Sequence, residues 1–260
     1  MRAIILAAGE GQRLASYLGG RPKCLLEFAG RSLLEWQLSA LRAVGVDDII
    51  VVTREKCVLC MPRDISVVVD RAPRRAIVTS LLAAEEYLAG NIIIAYGDLI
   101  YEQRLLRTLL SSIEGDILVA VDTDWREYYE ARFRNPYAEA ESLQLDEKQR
   151  ITRLGDLEPE PAQVDGRYIG LIRLTQAGCR EFKSAFETLF NRPGALGDGV
   201  RAVDRFQMTG FLQYLVDRDV IVRAARVQRG WLEFDTAQDY ERACEWLADG
   251  SIDRFVKLGV

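Results

Sequence analysis

Residues Ile4-Ile5-Leu6-Ala7-Ala8-Gly9-Glu10-Gly11-Gln12-Arg13 form an apolar run that feeds a glycine turn carrying a basic residue, and Arg21-Pro22-Lys23 follows shortly after. A strand that ends in a glycine loop presents backbone N–H groups, and such a loop holds phosphates. A side chain at Gly9 or Gly11 would keep the main chain away from a polyphosphate. Arg13 and Lys23 add positive charge where the phosphates would lie. The pattern is not the dinucleotide fingerprint, because Leu14 stands at the third glycine position, nor a P-loop, because no Gly-Lys-Ser/Thr follows. Taken alone, the glycine pair also reads as an ordinary turn. With its two cations it predicts an enzyme that handles a nucleotide, cradled by Leu6, Ala7, Ala8, Gly9, Glu10 and Gly11.

Composition narrows the chemistry. The chain has 260 residues and no histidine. That excludes Ser-His-Asp and Cys-His nucleophilic catalysis and any His-ligated metal. Carboxylates, lysine, arginine and backbone remain, an inventory that suits a hard, oxygen-seeking cation such as Mg²⁺. The net charge of −5 argues against bulk nucleic-acid or membrane-surface binding. No apolar run approaches the roughly 20 residues that span a bilayer, and the start lacks a signal-cleavage pattern. Five cysteines do not make a disulfide framework, so a cytoplasmic protein with reduced thiols is expected. Cys57-Val58-Leu59-Cys60 has no second cysteine pair to complete a zinc site and reads as packed or surface thiols.

The elements that must position these residues follow from hydrophobic pattern. Strands are expected near 2–7, 48–53, 66–70, 92–96, 116–121, 168–174 and 220–227. Ser32 and Glu35 form a capping box for a helix with Leu34, Leu38 and Leu41 on its apolar stripe, closed by Gly45. Further helices are expected at 80–88, stopping at Gly90, at 102–112, and from Thr236, with Asp239 three residues on, to just before Gly250. Strand alternating with helix implies an α/β fold, a Rossmann-like, mainly parallel sheet flanked by helices. Ligands then sit at the carboxyl ends of the strands, where the glycine loop, Asp98 and Asp122 would lie. Residues 122–167 break the rhythm, and read either as a small inserted β-rich lobe in one 1–260 domain or as a solvated loop with a hairpin. Residues 191–199 read as a mobile loop. The 251–260 tail, with Phe255 and Val256, packs either on a second copy in a homodimer or on its own fold.

LAAGEGQRL…RPKCLLEFAGRSLLEWQL resembles the signature of nucleotidyltransferases that activate sugar phosphates and small phosphorylated alcohols. Tyr96-Gly97-Asp98 is similar to the family's metal-binding aspartate after a central strand. Gly230-Trp231-Leu232-Glu233-Phe234-Asp235-Thr236 is similar to its second metal-binding segment. VDTDWREYY, AEAESLQLDE, GRYIGLIRLT and GWLEFDT resemble the phosphonate and phosphocholine cytidylyltransferases. One stretch departs from the family. Relatives often carry Asn or Thr a few positions before Ser80, where this chain has Arg74-Arg75-Ala76-Ile77-Val78-Thr79, so Thr79 or Arg75 would have to substitute.

The resemblance implies transfer of CMP from CTP to a small phosphonate, such as 2-aminoethylphosphonate, or a phosphoalcohol. An acceptor oxygen attacks the α-phosphorus and pyrophosphate leaves. The acceptor is already an anion, so no histidine base is needed and catalysis is positioning and charge neutralisation. Asp98 and Asp235 are the expected Mg²⁺ ligands, Lys23 the α-phosphate contact and Arg13 the β/γ-phosphate contact, with Thr79, Ser80 and Gly97 completing the nucleotide site. As bland alternatives, Asp98 is a helix N-cap and Asp235 a capped turn. For the acceptor, Arg132 is expected at its phosphonate, Glu139 and Glu141 at an ammonium, Trp125 or Tyr128 in cation–π contact, and Tyr168 and Glu233 nearby. A sugar-1-phosphate nucleotidyltransferase using UTP, GTP or dTTP, or a catalytically silent nucleotide-binding module, are the competing readings.

Overall fold

The computed structural model describes residues 1–72, 76–112, 114–137, 142–155, 164–190 and 207–259. In chain order the elements are β1 (Arg2–Leu6), α1 (Ala15–Leu18), β2 (Glu27–Phe28), β3 (Arg31–Ser32), α2 (Leu33–Arg42), β4 (Asp48–Thr53), β5 (Ser66–Val69), α3 (Ile77–Ala83), β6 (Ile92–Tyr96), β7 (Leu99–Tyr101) and α4 (Gln103–Ser111). There follow β8 (Ile117–Asp122), α5 (Arg126–Arg132), β9 (Ser142–Leu145), β10 (Ile151–Leu154), β11 (Gly166–Leu174), α6 (Gln176–Phe190), α7 (Met208–Val216), β12 (Val222–Val227), β13 (Trp231–Glu233) and α8 (Ala237–Asp249).

The central sheet runs β10-β9-β11-β6-β1-β4-β5, with β8 joining β11 to β12. The β6-β1-β4-β5 block is parallel, and β11 lies antiparallel to both β6 and β8. Ile4, Ile5, Ile93 and Ile94 are fully buried, which is why β1 and β6 read as continuous rather than alternating apolar runs. Two hydrophobic clusters cover the two faces. Each expected strand is present. The expected 80–88 helix starts earlier, as α3, and ends in a separate 3-10 turn at Glu85–Tyr87.

Within 122–167, β9 and β10 form a hairpin that pairs onto β11 and extends the central sheet. Phe255 and Val256 are buried in the core of their own chain. No helix among the described residues is long and apolar enough to cross a membrane. Residues 191–199, Arg75, Glu139 and Glu141 lie outside the described residues.

Candidate active site

The glycine loop leaves the carboxyl end of β1 and lines an open cleft of about 510 Å³ together with Lys23, Ile77, Tyr96, Gly97, Asp98 and Asp235. Gly11 sits at φ +62°, in left-handed backbone, and a Cβ there would stand 2.5 Å from Leu18 and 3.2 Å from the Lys23 stem. The turn can therefore close onto Lys23 only with glycine at this position. At Gly97 a Cβ would stand 2.9 Å from the Cα of Ala7. Gly97 also donates its N–H to the Leu6 carbonyl at 2.9 Å. The ends of β1 and β6 thus touch, and Asp98 is delivered beside the glycine loop.

Asp235 arrives from the far end of the chain through a short ladder. The three-residue strands β7 and β13 pair antiparallel, with Glu233 opposite Leu99. One step beyond, Phe234 donates its N–H to the Asp98 carbonyl at 3.0 Å. The buried Gln37 of α2 donates to the Tyr96 and Leu99 carbonyls, both at 3.0 Å, and so brackets the Gly97-Asp98 turn. Gln37 is a buried bracket of this turn that the sequence reading does not single out. Its signal is an amide on a helix whose neighbouring core positions are apolar.

Lys23 follows Pro22 at the start of a 3-10 turn and is only 9% exposed. Its Nζ lies 2.7 Å from Asp98 Oδ2 and 3.0 Å from Asp235 Oδ1. Burial would lower the Lys23 pKa, but the two carboxylates outweigh it and hold the ammonium above the ordinary lysine value. Arg13, 66% exposed along its side chain, pairs with Asp235 Oδ2 at the rim. Asp98 Oδ1 is buried with no hydrogen-bond partner. Cys24 lines the same wall, and burial pushes its thiol up to about 12, so it stays protonated at neutral pH.

The structure therefore brings together Lys23, Asp98, Asp235, Arg13, Gly97 and the loop residues Leu6, Ala7, Gly9, Glu10 and Gly11. Ala8 faces a smaller recess of about 140 Å³ that shares the Ala7–Glu10 loop with the cleft. Thr79 and Ser80 are placed differently from the expectation. The Thr79 hydroxyl donates to the Ala76 carbonyl at 2.7 Å and accepts from the Ala76 N–H at the start of α3, while Ser80 donates to Asp70 at 2.7 Å. Ile77 takes the place on the cleft wall. Asp122 ends β8 on the expected edge, but it is fully buried and accepts from Trp231 Nε1, the Asp124 N–H and the Arg229 N–H, as a structural bracket.

The expected acceptor residues need correction. Arg132 is 3% exposed, and its guanidinium donates to Asp239 at 3.0 Å and Glu233 at 3.0 Å. An arginine so enclosed cannot reach out to a phosphonate. Tyr128 is buried with Arg132 over its ring at 5.0 Å, and Trp125 is buried with Arg167 at 4.4 Å, so internal arginines already occupy these aromatic faces. Tyr168 is buried in the core, edge-on to Tyr96. Glu233 remains partly exposed. Burial first, with the nearby negative charges of Asp98 and Asp235, raises its pKa against the opposing pull of Arg132.

Two carboxylates, one of them with an orphaned oxygen, fit a Mg²⁺ ion, which takes one or two protein carboxylates and completes its shell with phosphate oxygens and water. Among the described residues no group of three or more side chains forms a ready-made metal cage. The donor set therefore suits a cation that arrives with a polyphosphate.

The model of the MobA-like NTP transferase domain matches residues 3–161. The chain belongs to this family. It is a nucleotidyltransferase, with the Rossmann-like fold shared by its structural neighbours. It is similar to the CTP:phosphoglutamine cytidylyltransferase of Campylobacter jejuni, at 26% identity over 253 residues, covering 93% of this chain and 98% of the relative. A segment covering 46% of the chain is 31% identical to part of the CMP-5'-(3-aminopropyl)phosphonate synthase of Streptomyces rubellomurinus, covering 20% of that longer protein. The fold matches the inositol-1-phosphate CTP transferase of T. maritima with a TM-score of 0.69 and 21% identity, over 99% of this chain and 98% of that one.

Proposed function

We propose that this transferase moves CMP from CTP to a small acceptor bearing a phosphate or phosphonate, such as 2-aminoethylphosphonate or a phosphoalcohol, and releases pyrophosphate. The observation that carries the reading is Lys23 Nζ held between Asp98 and Asp235 at the floor of a cleft rimmed by the glycine loop. Two CTP- or CMP-named relatives favour cytidine as the nucleoside.

The chemistry follows from charge. The acceptor oxygen is anionic at neutral pH and attacks the α-phosphorus directly. A P–O bond forms there, the bond to the bridging oxygen of the β-phosphate breaks, and pyrophosphate leaves with the electron pair. The barrier is mutual repulsion of anions, so the protein supplies position and positive charge. Backbone N–H groups of the glycine loop hold the β- and γ-phosphates, Arg13 neutralises them, and Lys23 meets the charge that develops at the α-phosphate. Asp98 and Asp235 would hold Mg²⁺, which screens the phosphate charge when bound. Five unpaired cysteines suit a reducing, cytoplasmic setting.

The test is pyrophosphate release from CTP, UTP, GTP and dTTP, each paired with 2-aminoethylphosphonate, phosphocholine and a hexose 1-phosphate. Release with CTP and a phosphonate or phosphoalcohol is expected. Turnover only with the hexose 1-phosphate would replace the reading by a sugar-phosphate one. Tight nucleotide binding with no release from any pair would make the chain a silent binding module.

A further inference from the structure

We propose that Arg132 is a positioning residue that locks the Glu233–Thr236 segment, and with it Asp235, into the geometry of the active centre. Arg132 sits near the end of α5, a helix that contributes nothing to the cleft wall. Its Nη1 donates to Glu233 Oε2 at 3.0 Å, two residues before Asp235. Its Nε donates to Asp239 Oδ1 at 3.0 Å. The other oxygen of Asp239 accepts from the N–H of Asp235 at 3.2 Å, the N–H of Thr236 at 2.8 Å and the Thr236 hydroxyl at 2.9 Å. One guanidinium fork therefore grips the segment on both sides of Asp235. The planar fork suits this task because its donors are rigid and diverge to two carboxylates at once, which a lysine ammonium does not reproduce.

A second contact comes from the same helix. Tyr128, one turn before Arg132, accepts the Glu233 N–H at 2.9 Å. The Arg132 guanidinium lies 5.0 Å from the Tyr128 ring and 4.7 Å from the Phe133 ring, so aromatic faces confine it. The Arg132 carbonyl is tied in turn to Arg242 of α8. This explains why a sequence pattern that suggests an anion-binding arginine yields a buried one. Its partners are carboxylates from the opposite end of the chain, and its effect on chemistry passes through them.

The kinetic arm of the test rests on the proposed nucleotidyl transfer, while the binding arm rests only on a metal–nucleotide site at Asp235 and needs no turnover. Arg132→Lys and Tyr128→Phe are compared with wild type for kcat, for KM with CTP, for thermal melting, and for Mn²⁺ affinity in the presence of CTP by electron paramagnetic resonance. Arg132→Lys is expected to lower kcat about ten- to a hundredfold, as small misplacements of catalytic groups do, with KM for CTP changed by less than about threefold. Mn²⁺ affinity is expected to fall by about fivefold or more, the loss typical when a second layer of ligand support is removed. A purely structural arginine would lower the melting temperature and leave kcat and Mn²⁺ affinity of the folded protein unchanged, and that result would overturn the proposal. If Arg132→Lys does not fold, Tyr128→Phe decides, since it deletes one hydroxyl. A Mn²⁺ affinity at least about twofold weaker at an unchanged melting temperature supports the proposal, and an unchanged affinity rejects it. If wild type releases no pyrophosphate with any substrate pair, the transferase reading fails and the Mn²⁺ arm still decides the role of Arg132.

Discussion

The ammonium of Lys23 lies 2.7 Å from the carboxylate of Asp98 and also bonds Asp235. The groups suited to phosphate thus pair directly with those suited to a metal ion, leaving Asp98 Oδ1 without a partner. Arg13 repeats the arrangement at the rim by pairing with Asp235. Under the proposed function, binding of a metal-bound triphosphate would exchange these ion pairs, carboxylates to the metal and cations to the phosphates.

Removal of Lys23 exposes both halves of that exchange. Lys23→Met is expected to lower kcat by about 10²–10³, the usual loss when one donor to developing charge is deleted. It also leaves Asp98 and Asp235 facing each other without their shared cation. Mg²⁺ should therefore raise the melting temperature of Lys23→Met more than that of wild type, as read by differential scanning fluorimetry with and without EDTA. An equal shift in the two proteins would count against the paired arrangement.

Asp235→Asn is expected to act in opposite directions on turnover and on metal-free binding. Turnover should fall about a thousandfold or more, equal to roughly 4 kcal/mol or more of lost transition-state stabilisation. CTP binding in EDTA should tighten by about threefold or more, because Arg13 loses its carboxylate partner and Lys23 keeps only Asp98, leaving more positive charge for the phosphates. Isothermal titration calorimetry checks this, and weaker metal-free binding would be the contrary outcome.

Gly97→Ala places a methyl group 2.9 Å from the Ala7 Cα and the Leu6 carbonyl oxygen. These are backbone atoms of the adjoining strand end, which cannot yield cheaply. A loss of about 1–3 kcal/mol in chemical denaturation is expected from the overpacking. A fall in kcat should accompany it, because Asp98 is the next residue. A variant as stable and active as wild type would show that the β1 and β6 ends do not approach so closely.

Much of this frame was legible because parallel strands buried on both faces leave unbroken apolar runs. The capping boxes at Ser32–Glu35 and Thr236–Asp239 are equally local signals, and both are formed. The two-stranded ladder of β7 and β13 left no such trace, since strands of three residues are too short to show a period and lie far apart in the chain. Helix α6 lies outside the elements expected from sequence although it carries a signal, with buried Cys179, Phe182, Phe186 and Leu189 at helical spacing. At the site, the glycine loop and its cations are contiguous in sequence and readable together. For Arg132 and Thr79 the structure differs from the sequence expectation for the same physical cause. Their partners are supplied by the fold, across the chain for Arg132 and by the helix start for Thr79, and each partner consumes the polar group that made the residue look available.

The buried pair of Arg132 and Asp239 gives the stability a defined dependence on pH. Burial would raise the Asp239 pKa, but the Arg132 guanidinium and the Thr236 bonds hold it below the usual carboxylate range. A carboxylate depressed in the folded state contributes stability above its unfolded pKa of about 3.9, and loses it as pH falls through the lower folded value. Asp239→Asn should therefore be less stable than wild type by about 1.5–3 kcal/mol near neutral pH, with the gap narrowing below about pH 4. Urea unfolding across that range checks the sign. A gap that widens in acid would contradict it.

A crystal structure with CTP and Mg²⁺ tests the central claim most directly. The account predicts one metal ion between Asp98 and Asp235, the triphosphate along the glycine loop, and Lys23 and Arg13 turned from the aspartates to phosphate oxygens. A triphosphate bound elsewhere, or one bound while Lys23 still bridges both carboxylates, would contradict it.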